Sequence, residues 1–370
     1  MNIESSEFME IITNIANGII IDKSRRREGI SKSRAVLDAY SEFSFNAREI
    51  APTWYAKGAP RAISQNRRRL AARQRTQRSV LKRFFKAFAH WEISLASSEL
   101  INRSMSEIFW RRTSDPDGPE RSSKLLGVAD EFGGPALRLL LLTGMHARMI
   151  TVSEEIILLL RNGFSDGAYG RMRTLYELVI KIFFLCNNEP QAGGFDLAER
   201  FYVAARIGVD ASELDEVDEN ILEKARAQWG DNFFKGENNW AAPGIGIPQK
   251  SRITFRDIEN AVESSHLRQL YLECNSAVHA GADQIIKAFT PRRIIYQTRG
   301  RLDSAATACV GTACTGFLLM GTMEIMKRIS VDTHHWDLPL EATAFLFNIN
   351  VSVEEFNQTS HKLGNIPLLP

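Results

Sequence analysis

The 370-residue chain predicts an all-α protein: a helical bundle with an antiparallel helical hairpin at its core and a basic helical N-terminal part. Three observations carry that reading. Apolar residues recur three and four apart over long segments. No alternating apolar run pairs with another across an Asn-Gly or Asp-Gly turn. The abundant Ala, Leu, Arg, Glu and Ile suit helices. With 44% hydrophobic and 24% charged residues, the chain is neither collagen-like, nor a disulfide scaffold, nor wholly disordered.

In chain order, the segment to about Ala59 is mixed, with breaks at Ala51-Pro52 and Gly58-Ala59-Pro60. A long helix is expected from Arg61 to Trp110. Asp115-Pro116-Asp117-Gly118-Pro119 is the clearest linker, which divides the chain into a basic helical region (1–112), a helical bundle domain (120–330) and a short helix with a C-terminal tail (331–370). The hairpin follows. Its first arm runs from Pro135 to Leu160, with Met145, Met149, Val152, Ile156 and Leu159 on one face. Arg161-Asn162-Gly163 stops it, and Ser165-Asp166 can cap the second arm. That arm carries Ala168, Met172, Leu175, Val179, Ile182 and Cys186 on one stripe.

Further helices are expected over 196–228, 255–289 and 293–329, with an aromatic ordered loop, or alternatively a linker, over 230–250. Residues 304–323 contain no charge and match the length of a bilayer span. Their Ala, Thr and Gly content favours a central, tightly packed helix, so no membrane is expected. Cys186, Cys274, Cys309 and Cys314 show no metal-ligand spacing and read as buried thiols. The N-terminus lacks the basic-then-apolar order of a signal peptide, so a reducing, cytoplasmic setting is expected.

Net charge is +2, but residues 1–112 carry 21 Lys/Arg against 11 Asp/Glu. From Arg61 to Lys86 there are ten cations and no acidic residue. Arg61, Arg68, Arg75 and Lys82 recur every seven residues; Arg67, Arg69, Arg73 and Arg78 widen that face. Like charges a turn apart oppose a helix, and a polyanion relieves the repulsion. Arg forks match phosphate oxygens. Nucleic acid is therefore the expected partner. A solvated face, docking on the acidic patch at Asp210–Glu219, a lipid surface or a protein partner are the alternatives.

A second constellation lies near the end of the bundle. Asn275, Ser276 and His279 stand within one helical turn, so either polar residue can hold one imidazole nitrogen. Arg171, Arg173 and Glu177 lie on the second hairpin arm, with Arg173 and Glu177 spaced to pair. Arg171 falls beside apolar residues and needs an anion or carbonyls. A histidine locking two helices is the structural alternative. His146 reads as core. His334-His335 beside Asp332 and Asp337 is the only metal site considered, and no metal or cofactor is expected. Phosphate-loop, dinucleotide-loop, zincin and nucleophile-elbow motifs are absent.

LLLRNGFSDGAYGRMRTLYELVIKIFFL at 158–185, YLECNSAVHAGA at 271–282 and the loop around Asn239-Trp240 resemble an uncharacterised all-helical bacterial family over residues 130–290. More distantly they resemble the HEPN superfamily of helical bundles, which includes metal-independent ribonucleases of toxin and antiviral systems. Those enzymes place an Arg four to six residues from a His on one helix. Here no Arg precedes His279 at that spacing. The resemblance implies a nucleic-acid-interacting protein of defence or toxin type, acting on RNA more than DNA. If it cleaves RNA, His279 transfers the proton, Arg171 or Arg173 stabilises the phosphate, and Asn275 and Ser276 orient the imidazole. The alternative is a non-catalytic nucleic-acid-binding or oligomerising accessory module; a homo-oligomer is expected in either case.

Overall fold

A computed structural model of the chain describes residues 34, 35, 38, 52–112, 128–188, 196–207, 216–246, 252–264, 267–278, 303–333 and 340–362. The chain divides into two compact units, residues 1–72 and 73–370. The described residues form ten α-helices and two short 3-10 helices, with no strand among them.

Helix α1 (Pro52–Arg112) starts at the proline expected to break the chain, and Pro60 lies inside it. Pro at the first helical position forfeits an N–H that has no partner anyway. Pro60 forfeits one bond of a 61-residue helix and is exposed. In the first unit, Pro60 to Ala71 of α1 are all exposed. In the second unit α1 buries Val80, Phe84, Phe88 and Trp91 in the core and departs from helical geometry at Phe84 (φ −116°, ψ 18°). The expected linker at 115–119 lies outside the described residues.

The second unit is built on the hairpin of α2 (Val128–Arg161) and α3 (Ser165–Asn187). Gly163 takes the left-handed conformation (φ 76°), and the Gly163 and Phe164 N–H groups donate to the Leu160 and Leu159 carbonyls at 3.0 and 2.9 Å. This closure places Phe164 at the entry of α3. Ser165-Asp166 therefore does not cap it, contrary to expectation. Met145, Met149, Val152 and Ile156 are buried, with Leu160 rather than Leu159 completing the stripe. All six stripe residues of α3 are buried.

Further along come α4 (Asp196–Ile207) and α5 (Glu216–Trp229); the acidic patch lies mostly outside the described residues. The 230–250 segment is no linker. It forms 3-10 turns at Asp231–Lys235 and Asn239–Ala241 and the short α6 (Ala242–Ile245). Trp240 is buried edge-on to Phe184 and Phe201, at 5.5 and 4.8 Å between ring centres. The helix expected over 255–289 is broken into α7 (Phe255–Ala261) and α8 (Arg268–Val278). A turn separates them, with Glu263 at φ 54° and the Ser264 hydroxyl donating to the Glu259 carbonyl at 3.1 Å.

Helix α9 (Ser304–Thr333) holds the uncharged segment and packs against α2, α3 and α10 (Leu340–Lys362). By length and composition it could cross a membrane, but Ala308, Val310, Ala313, Cys314, Phe317 and Leu318 are fully buried inside the bundle. The expected short C-terminal helix is instead 23 residues long. Its buried stripe includes Ser352 and Ser360 beside Phe345, Ile349 and Phe356, which dilutes the apolar signal. Phe356 meets Phe84, Phe88 and Trp91 at 5.7, 5.5 and 5.9 Å between ring centres.

His146 is the polar knot of this core, fully buried on α2. The Asn102 amide of α1 donates to its Nδ1 at 3.3 Å and to the Thr143 carbonyl at 2.8 Å. Nε2 therefore carries the proton and donates to Thr322 Oγ1 of α9 at 3.2 Å. Burial lowers its pKa from 6.5 to about 4.

Two outcomes follow from this core. The folded state favours neutral His146. Its stabilisation is whole above the unfolded pKa of 6.5 and is lost as pH falls toward about 4, by about 3 kcal/mol in all. Denaturant melts at pH 7 and pH 4.5 should show this loss in the wild type and less of it in His146→Gln. A Cβ at Gly311 would stand 2.5 to 2.6 Å from the Phe356 ring, which three other rings hold in place. Gly311→Ala should cost about 1–3 kcal/mol in thermal melts. Gly321→Ala, whose Cβ meets chiefly the flexible Met149 thioether, with Val179 Cγ2 at 3.3 Å, should cost less.

Candidate functional site

The basic residues of α1 are displayed to solvent. Arg61, Arg67, Arg68 and Arg69 are exposed in the first unit, and Arg73, Arg75, Arg78 and Lys82 in the second. Some are engaged: Arg73 Nε donates to Asn162 Oδ1 at 3.0 Å, Arg83 bonds Ser304, and Lys86 lies 3.7 Å from Glu355. The side chains of Arg67, Arg68, Arg69, Arg75, Arg78 and Lys82 make no hydrogen bond or ion pair among the described residues.

The hairpin arginines are different. Arg171 finds the anion its position demands in Glu155, which also lies 3.7 Å from Arg148. Arg173 Nε donates to Glu177 Oε1 at 2.8 Å, the pair the spacing anticipates. Burial alone would lower the Arg173 pKa, but the bond and charge of Glu177 hold it above its ordinary value.

Two residues of α8 extend this pair into a network. The Tyr271 hydroxyl donates to the same Glu177 oxygen at 3.2 Å. Beside it the Glu259 carboxylate is wholly buried, accepting from the Tyr176 hydroxyl and paired with Arg268. Two Tyr–Glu–Arg sets thus stand side by side, and the Tyr176 and Tyr271 rings lie 5.4 Å apart. Burial, then the adjoining carboxylate, raises the pKa of both tyrosines, so both stay protonated and act as donors.

Of the other expected site residues, Asn275 is half-buried, and its Oδ1 is buried without a hydrogen-bond partner among the described residues. Ser276 lies in α8, but its side chain, and all of His279, fall outside the described residues. The structure therefore brings Arg173 and Glu177 together, sets Arg171 on a different carboxylate, and leaves the imidazole undescribed. His334 and His335 also lie outside. Among the described residues no group of three or more His, Cys, Asp or Glu could hold a metal ion.

The four cysteines are free. Burial pushes Cys274 up to about 12 and Cys309 up to about 11, with the Tyr169 hydroxyl donating to Cys309 Sγ at 3.2 Å. Activated thiols need the opposite shift, so these act as small apolar side chains.

Sequence reasoning missed Tyr176 and Glu259, and with them the pairing of Arg268. The available signal was Glu259 itself, an acidic residue four after Phe255 and beside Ile258 on the face that α7 buries.

The fold and network define an all-helical bundle protein whose interior carries paired ionic groups. Residues 139–291, from α2 to beyond α8, match the model of a family of unknown function, DUF5677. No curated protein and no solved structure matched the chain.

The two arginines of the network should differ in weight. Arg268→Ala strips the cation from a carboxylate with no exposure and should destabilise by about 3–5 kcal/mol. Arg173→Ala breaks a pair with 28% and 30% side-chain exposure and should cost about 1 kcal/mol or less. Urea melts of the two variants measure the difference; equal losses would mean that Glu259 does not depend on Arg268.

Proposed function

We propose that the protein binds nucleic acid through the cations of α1. The observation that carries the reading is the exposure of Arg67, Arg68, Arg69, Arg75, Arg78 and Lys82 without an anionic partner among the described residues. An uncompensated row of guanidinium groups is costly for a helix alone and gains from replacing condensed counterions on a polyanion. Contacts of this kind go to phosphates and fix position rather than read sequence. RNA in preference to DNA, and a role in bacterial defence or toxicity, rest on the HEPN-like resemblance of the bundle. In the same reading His279 is the group to test for metal-independent cleavage, with Arg173, whose guanidinium carbon lies 5.1 Å from the centre of the Tyr271 ring of α8, as the accompanying cation.

Binding to labelled RNA and DNA should weaken steeply as salt rises. Replacing Arg67, Arg68 and Arg69 together with Glu should abolish binding at moderate salt and reduce the slope of log K against log salt by about three. No binding at low salt by the wild type overturns the reading. Product sizes from the same samples separate binding from cleavage: RNA shortening that His279→Ala abolishes, with affinity kept, makes the bundle a nuclease. Intact RNA makes it a binding module.

A further inference from the structure

Beyond the kink at Phe84, the solvent side of α1 carries an apolar stripe. Phe85, Ala89, Ile93, Ala96 and Leu100 follow one another at three- and four-residue spacing and so share one face. It lies opposite the face that buries Phe88, Trp91 and Leu95. Phe85, Ile93 and Leu100 are 67%, 48% and 43% exposed. Helix α10 runs beside α1, with Asn348 bonded to His90 and Ser352 to the Ala87 carbonyl. Its Phe347 widens the patch: the ring is 65% exposed and stands edge-on to His90, 6.5 Å between ring centres. From Phe85 to Leu100 the stripe is about 23 Å long. Single exposed apolar side chains are ordinary, but a contiguous run of them marks a surface that is covered. The patch lies wholly in the second unit and outside residues 139–291.

Two features of the stripe indicate what covers it. Reversed about the point between Glu92 and Ile93, Phe85 falls on Leu100 and Ala89 on Ala96. A two-fold interface requires such a pattern, because each residue meets its counterpart's partner in both directions. Charge follows the same order. Residues 78–92 carry four Lys/Arg and one Glu, whereas residues 93–107 carry one Arg and two Glu. Antiparallel pairing sets the basic half of one helix on the acidic half of the other; parallel pairing sets basic on basic. We propose that this face binds a second copy of the chain, α1 antiparallel to α1, with the two-fold axis beside Ile93. Phe85 and Leu100 close the ends of the seam, and the small Ala89 and Ala96 between them let the two backbones approach. The two Glu92 side chains that meet near the axis are each already paired with Arg161 of their own chain. A seam held by apolar burial does not weaken as salt rises, which separates it from polyanion binding by the cations of α1.

Sedimentation velocity of the full chain, freed of nucleic acid, is the test. A monomer–dimer equilibrium is expected between about 1 and about 100 μM, and it should persist in high salt. Ile93→Arg brings two cations together at the axis and should raise the dissociation constant at least about tenfold. Its melting temperature as a monomer should stay that of the wild type, since the position is exposed. Cysteine variants fix the direction of the pair. On mild oxidation Ile93→Cys should form a disulfide between copies, as should Phe85→Cys combined with Leu100→Cys in one chain. Phe85→Cys alone should not, because in antiparallel order the two Phe85 positions stand about 20 Å apart along the seam, beyond disulfide reach. A wild type that stays monomeric at about 100 μM overturns the proposal. So does a dimer indifferent to Ile93→Arg, or one that Phe85→Cys alone cross-links.

Discussion

At Gly311 the ring of Phe356 occupies the space that a Cβ would need, and at Gly321 the Met149 thioether does the same. These two approaches set how near α9 lies to α10 and to α2. Larger residues at either position would hold the helices apart. The aromatic cluster of Phe84, Phe88, Trp91 and Phe356 and the bonds of His146 to Asn102 and Thr322 both require that nearness. Dispersion falls steeply with separation, so small residues in α9 are worth more to this core than extra methylenes would be. The same composition lowers the hydropathy of α9, which is why a segment with the length of a membrane span reads as an interior helix.

The hairpin was the most legible part of the fold. Eleven residues on two stripes repeat at helical spacing, and a glycine with positive φ stands between them. The boundaries that went astray have physical causes. Helix α1 absorbs Pro60 because one lost hydrogen bond is small beside the length of the helix. Helix α10 looked short because Ser352 and Ser360 sit on its buried stripe; the Ser352 hydroxyl donates to the Ala87 carbonyl at 2.9 Å, a partner 265 residues away that no local pattern reveals. The break before α8 depends on Glu263 at positive φ, a conformation more often taken by glycine or asparagine.

The candidate site was half legible for a related reason. Arg173 and Glu177 pair along one helix, so spacing reports them. Glu259 belongs to α7, Tyr176 to α3 and Arg268 to α8, and only the folding of three helices gathers them. A carboxylate with no exposure is intelligible once its donors are known. The Tyr176 hydroxyl and the Arg268 guanidinium replace the water it loses.

Two groups of arginines among the described residues thus answer different electrostatic problems. Those of the bundle interior, Arg171, Arg173 and Arg268, each stand against a glutamate, and their field is cancelled within a few ångströms. Arg67, Arg68, Arg69, Arg75 and Arg78 have no such partner among the described residues, and their field extends into solvent over about a Debye length. Only the second group can draw a polyanion from a distance. A variant that removes the charge of α1 should therefore lower the rate at which a polyanion is met and the dependence of that rate on salt. A variant that removes a paired cation of the bundle acts instead on the stability of the carboxylate it faces.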